Sequence, residues 1–257
     1  MLSRLREKIR GKKGGYDLLL EAKSFLEKRF YGPTSFTLSF YLHLKSRTTL
    51  GRLIRHRRVL IVGSGPSASD LHAIPPDLLV FTCNRGLLLF LDGSLKRRVD
   101  LYLCQTGAMG NRQNDIETLL ASVKTNLFLM NKPGFIKEKT DLHGAYVTLL
   151  ADKLSHNYYL RRLIAPYRLT HIRGQHAAFT SSGMRLLQYA LFFKAKETYL
   201  IGVDLDQSGY FWEKKNVHWH QDIDRRFMKI VSKKYKNVYS ASRRSPINRY
   251  LPYKGLT

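Results

Sequence analysis

Apolar and polar positions follow two periods along this chain. Val59–Val62 is an unbroken apolar run, and Leu78–Cys83, Asp100–Cys104, Leu127–Met130, Thr198–Asp204 and Lys236–Ser240 are short runs rich in β-branched, aromatic or leucine residues. Such runs fit strands of a parallel sheet buried on both faces. Elsewhere the period is helical. Leu18, Leu19, Ala22, Phe25, Leu26 and Phe30 recur three or four apart within residues 2–30, which Gly32-Pro33 ends. Met184, Leu187, Leu191 and Phe192 predict a second helix, with Ser181 or Ser182 as N-cap. Leu149–Tyr167 also reads as helical, basic and aromatic. Strands alternating with helices predict an α/β fold: a single Rossmann-like parallel sheet with helices on both faces, plus an N-terminal helical appendage. The expected division is 1–57 for the appendage and 58–257 for the sheet domain.

Composition narrows the class. The 257 residues are 44% hydrophobic and 12% aromatic, which excludes a disordered tail protein. Cys83 and Cys104 are the only cysteines, too few for a disulfide scaffold and without zinc-site spacing. No apolar run reaches the roughly 18 residues of a membrane span, and no signal-peptide core opens the chain. The expectation is a cytoplasmic protein. The formal charge of +25 is unevenly placed. Met1–Arg58 holds a net +11 and Arg225–Thr257 a net +10, leaving +4 for Val59–Asp224. Basic ends, the first with interleaved aromatics from Phe36 to Leu44, suit an anionic membrane surface; nucleic acid is the other partner such charge suggests.

Candidate chemistry gathers where strands end, the place ligands bind in such sheets. Gly63-Ser64-Gly65-Pro66-Ser67 follows the first strand, and its amides with the Ser64 and Ser67 hydroxyls can meet a phosphate at a helix start. Ala68 replaces the third glycine of a dinucleotide fingerprint, and the next strand ends in Thr82-Cys83-Asn84 without an acid. A nucleotide sugar fits better than a dinucleotide. Asn84, Arg85, Gln105, Thr106, Asp204 and Asp206 occupy further strand ends. His218 and His220 have the pKa of a general base, His220 being better spaced toward Asp224. Asp204-x-Asp206 has the spacing to hold a divalent cation. His176 precedes the Thr180-Ser181-Ser182-Gly183 turn. Trp212 and Trp219 suit either a sugar-facing wall or core packing.

In order along residues 58–242, the segments VLIVGSGPSASDL, VFTCNRG, TSSGMRLLQYALFFKAKETYLIGVDLDQSGYF and VHWHQDIDRRFMKIVSKKYKNVYSAS resemble the bacterial sialyltransferases that use a CMP-activated donor. The likeness extends more loosely to the Kdo transferases of lipopolysaccharide synthesis. The resemblance implies a GT-A-variant sheet and an inverting transfer from a CMP-sugar, with no cofactor or divalent metal. Asn84 falls on a donor-binding asparagine, and Ser182-Gly183 on the Ser-Gly that holds the donor. Ser64 stands where the family usually has another asparagine. Cys104-Gln105-Thr106 replaces an Asn-containing sequence near the acceptor and leaving group. Asp206 replaces one phosphate-holding tyrosine, and Tyr210 aligns with the other. His220 or His218 lies at the base. The leaving phosphate would be met by Tyr210 and by Arg85 or Arg185, and Gly63, Ser64, Gly65, Pro66, Ser67, Asn84, Arg85, Ser181, Ser182, Gly183, Asp204 and Asp206 would line the donor. The implied acceptor is a glycan or glycolipid, lipooligosaccharide at the inner membrane being foremost. Alternatives are a Kdo transferase, a metal-dependent UDP- or GDP-sugar transferase and a basic nucleic-acid-binding protein.

Overall fold

The computed structural model describes residues 48–90, 95, 98–104, 125–130, 147–150, 180–205, 209–211 and 221–256. Helical residues 48–54 (α1) lead into strand β1 (Arg58–Val62), followed by β2 (Leu79–Cys83), β3 (Val99–Cys104), β4 (Thr125–Met130) and β5 (Val147–Leu150). Helix α2 (Ser182–Phe192), β6 (Glu197–Ile201), α3 (Gln221–Lys234) and β7 (Val238–Ser240) complete the order. The seven strands form one sheet in the order β5-β4-β3-β2-β1-β6-β7. Every pairing is parallel. The chain builds outward from β1 to β5, then returns to lay β6 on the other side of β1.

The two faces differ in what covers them. Val59, Ile61, Phe81, Leu101, Leu103 and Leu200 share a core with Leu50 and Ile54 of α1, Leu187 of α2, and Phe227 and Val231 of α3. Leu60, Val62, Val80, Tyr102, Tyr199 and Ile201 form the second core with Leu71, Leu87 and Phe90. Among the described residues, α-helices lie on the first face, and the 3-10 helices Pro66–Asp70 and Asn84–Phe90 supply the second. Complete burial of Val59–Val62 in β1 explains the unbroken apolar run.

Several expected boundaries move. Residues 48–54 belong to the core, so the folded body reaches back at least ten residues before position 58. The strand expected through Asp204 ends at Ile201, because Gly202 turns the chain in the left-handed region (φ +66°). The last strand begins at Val238 rather than Lys236. Leu149 and Leu150 are strand residues, pairing with Leu129 and Met130, not the start of a helix. Their run is four residues long, and β pairing across the sheet decides its state. The rest of Leu149–Tyr167 and the helix expected within 2–30 lie outside the described residues.

The basic C-terminal end is not an appendage. Arg225–Lys254 comprises most of α3, all of β7 and a return segment that runs beside β7: Ser240 N–H donates to Pro252 O (3.0 Å) and Lys254 N–H to Ser240 O (2.9 Å). Ile247 and Leu251 are buried in the first core. Part of the charge is paired. Lys254 Nζ lies 2.6 Å from Glu197 Oε1, and Arg58 bridges Asp77 (2.6 Å) and Glu197 (3.3 Å). The Tyr199 hydroxyl donates to Glu197 and accepts from Arg58. Chiefly through Lys254, this cluster holds the Glu197 carboxyl below its ordinary range. Arg244 pairs with Asp70.

Candidate active site

The reversal between β1 and β6 is the topological switch point of the sheet, the place near which ligands bind in such folds. Gly63-Ser64-Gly65-Pro66-Ser67 and Gly202-Val203-Asp204 meet there. Their backbones are in direct contact: Gly63 N–H donates to Ile201 O (2.8 Å) and Gly65 N–H to Gly202 O (2.7 Å). A Cβ on Gly63 would lie 2.1 Å from Gly202 O, so only glycine permits this approach.

Most donors of the turn expected to meet a phosphate are engaged within the protein. Besides Gly63 and Gly65, the amide of Ser67 is spent on Asp204 Oδ2 (2.6 Å) and that of Ala68 on Gly65 O (3.0 Å). Pro66 has no N–H. The buried Ser67 hydroxyl donates to Asp204 Oδ1 (2.6 Å) and accepts from Gly202 N–H (2.9 Å). The following helix is a five-residue 3-10 turn. These groups hold the loop rather than face a ligand. Asp204 is the centre of that arrangement, because Ser245 Oγ also donates to its Oδ1 (2.6 Å). A carboxylate accepting three bonds on two oxygens has little capacity left for a cation. Ser64 is half-buried, and its carbonyl accepts from Phe211 N–H (3.0 Å), which brings the Gly209–Phe211 segment with Tyr210 onto this loop.

A second group assembles beside it. Asn84 closes β2 in a left-handed conformation (φ +47°), which asparagine tolerates better than most residues. Its carbonyl accepts from the Tyr102 hydroxyl (3.0 Å). Its Nδ2 donates to Ser182 Oγ at 3.2 Å, across 98 residues of sequence. Ser181 is the N-cap of α2 and accepts from Met184 N–H (3.5 Å), which settles the choice between the two serines. Gly183 packs its backbone on Val203, where a Cβ would lie 3.1 Å from Cγ2. Arg85 is half-buried in the 3-10 turn after Asn84.

Asp224, in the first turn of α3, is the residue sequence reasoning undervalued. Its Oδ1 accepts from Ser181 N–H (3.0 Å), tying α3 to the α2 N-terminus. Burial pushes its carboxyl up to about 7, with the Ser181 bonds and the Arg185 charge opposing the rise. Arg185 is buried in α2, and desolvation lowers its pKa; Tyr189 and Asp224 oppose that. Its guanidinium is therefore a buried group near Asp224 and not a surface one. The signal for Asp224 was present: Ile223, Asp224, Phe227, Met228 and Val231 make one apolar stripe with a carboxylate inside it.

His218, His220, Asp206, Gln105 and Thr106 lie outside the described residues, as do His176, Trp212 and Trp219. The described candidates form two adjoining groups at the strand ends: Gly63–Ser67, Asp204 and Tyr210, and Asn84, Arg85, Ser181–Gly183 and Asp224.

No family model and no curated protein sequence matches this chain. Solved structures do. The sialyltransferase CstII from Campylobacter jejuni in complex with cytidine-5'-monophosphate matches with a TM-score of 0.56 and 20% identity, over 79% of this chain and 87% of that one. CstII with CMP-3FNeuAc matches at 0.53 and 20%, over 78% and 86%. The monofunctional alpha-2,3-sialyltransferase Cst-I of the same organism matches at 0.56 and 16%, over 77% and 80%. The chain shares the fold of the Campylobacter sialyltransferases.

Proposed function

We propose that the chain is an inverting glycosyltransferase that moves a sialic acid or related keto-sugar acid from a CMP-sugar to a glycan acceptor. The contact between Asn84 and Ser182 carries the reading: two polar residues far apart in sequence converge beside the sheet's switch point, in a fold seen elsewhere with CMP and CMP-3FNeuAc. Asn84, Ser182 and Gly183 hold the nucleotide end of the donor. Tyr210 and Arg85 donate to the leaving phosphate as negative charge develops there, and Gln105 and Thr106 are assigned to the acceptor or leaving group. His220, or His218 beside it, takes the proton from the attacking hydroxyl as the anomeric carbon–phosphate bond breaks. Asp224 positions the N-terminus of α3, and with it the chain leading from His220. Asp204 and Ser67 keep the Gly63–Ser67 loop in place. We assign the acceptor to lipooligosaccharide, with the basic N-terminal region holding the enzyme at an anionic membrane surface.

Thermal-shift titration separates the donor classes. CMP raises Tm, whereas UDP, GDP and NAD leave it unchanged with or without Mg²⁺. A metal-dependent shift with UDP or GDP overturns the assignment. His220→Ala lowers turnover by roughly 10²–10⁴-fold while CMP still binds. The same loss confined to His218→Ala transfers the base role to that residue.

A further inference from the structure

At the other end of β1 and β6 from this site lies an open cavity of about 630 Å³, lined by Thr48, Gly51, Arg52, Arg55, His56, Phe192, Phe193 and Lys194. We propose that it is a binding site for a phosphate ester with an apolar part, most simply an anionic lipid headgroup. Arg52, Arg55 and Lys194 line it with His56, and no acidic side chain does. Two of the other cations at this end of the sheet are paired, Arg58 with Asp77 and Glu197 and Lys254 with Glu197. Among the described residues Arg52, Arg55 and Lys194 form no ion pair. The Phe192 and Phe193 rings meet edge to face (4.9 Å), supplying an apolar wall beside the charge.

Helix termini do not account for these cations. Each helix C-terminus contributes about half a negative charge. The C-termini of α1 and α2 together therefore offset about one of three permanent cations. Backbone donors already serve the helix-end carbonyls: Phe193 N–H goes to Tyr189 O (2.9 Å), Lys194 N–H to Leu191 O (3.2 Å) and Ala195 N–H to Ala190 O (2.9 Å). That is the bonding of a Schellman turn, whose left-handed position glycine usually fills. Here Lys194 fills it at φ +58°, and His56 is also left-handed (φ +59°), its N–H donating to Lys194 O (3.1 Å). A lysine at a position that favours glycine is poor for stability but places an ammonium group at the cavity.

The site does not depend on the transferase reading; only its lipid form rests on the membrane address proposed above. Binding to the full-length chain is measured calorimetrically with three probes: dihexanoyl phosphatidylglycerol and dihexanoyl phosphatidylcholine, both below micellar concentration, and inorganic phosphate. Phosphatidylglycerol binds at least tenfold more tightly than phosphatidylcholine. Inorganic phosphate binding as tightly as phosphatidylglycerol identifies a soluble phosphorylated ligand instead of a lipid, in the same anion site. Lys194→Gly weakens phosphatidylglycerol binding at least fivefold with Tm unchanged or raised. Adding Arg52→Gln and Arg55→Gln weakens it at least thirtyfold. The control set Arg226→Gln, Lys229→Gln and Lys233→Gln, which removes equal charge from α3, changes it less than twofold. Equal losses in the two triple variants, no saturable binding of any anion, or a lower Tm with intact binding in Lys194→Gly overturns the proposal.

Discussion

Asp204 and Asp224 are both aspartates near strand or helix ends, and their surroundings give them different tasks. Asp204 ties the loop after β1 to the turn after β6 and to Ser245 near the C-terminus. Asp204→Ala strips three bonds from one carboxylate and costs roughly 3 kcal/mol of stability, measured by urea unfolding. A loss under about 1 kcal/mol would show that the loop holds itself. Asp224 is governed by burial instead. With its carboxyl at about 7 against an ordinary 3.8, the folded chain retains a proton there that the unfolded chain has released. Between those values the native state binds more protons, so this residue's contribution to stability falls as pH rises from about 4 to 7 and stays low above. Asp224→Asn keeps an acceptor for Ser181 and cannot ionise. The variant is expected to gain on the native chain by roughly 2–4 kcal/mol between pH 4 and pH 8, read from paired urea titrations. A pH-independent difference would place the Asp224 carboxyl at its ordinary value.

Among the elements, the segment after β7 shows how far position in sequence misleads. Its charge reads as a solvated basic end, yet Leu251 is only 2% exposed and packs with Ile247 in the core beneath α2 and α3. Leu251→Ala therefore costs roughly 2–5 kcal/mol, the range for a core leucine, where a fraying end would lose under about 0.5 kcal/mol; thermal and urea unfolding measure it. The central strands were legible because burial on both sides leaves a continuous apolar run, which needs no partner to be seen. β5 was not. At four residues, Val147–Leu150 has no period of its own, and its pairing with β4 assigns it. The 3-10 turn Pro66–Asp70 was likewise invisible, since the sequence there reads as the start of a helix.

For the molecule as a whole, the net charge of +25 divides into parts with different meanings. Lys254 and Arg244 are paired within the fold. Arg52, Arg55 and Lys194 converge on one cavity, and the basic residues before position 48 lie outside the described region. This division sets where a truncation test must cut. Removing 1–57 would delete Leu50 and Ile54 from the core, confusing loss of an anchor with loss of the fold. Removal of 1–47 is the informative cut. It leaves cooperative unfolding in place while shifting the protein from anionic vesicles to the supernatant at low salt, as sedimentation measures. Unchanged partitioning would remove the N-terminal region from the membrane reading.

By itself, the sequence determined the α/β class, the central strands and the strand-end residues, because these depend on burial pattern and local turn chemistry. Gly63 and Gly65 were readable as a tight turn, and Asn84 as a polar strand end. Which groups face a ligand was decided only in three dimensions. The amides of Gly63, Gly65 and Ser67 are consumed by acceptors far away in sequence, and Asp204 is spent on Ser67 and Ser245. Asn84 meets Ser182, and Asp224 meets Ser181, through the crossing from β5 back to β6. Hydrogen-bond capacity is finite, and only the tertiary structure decides whether protein atoms or a ligand use it.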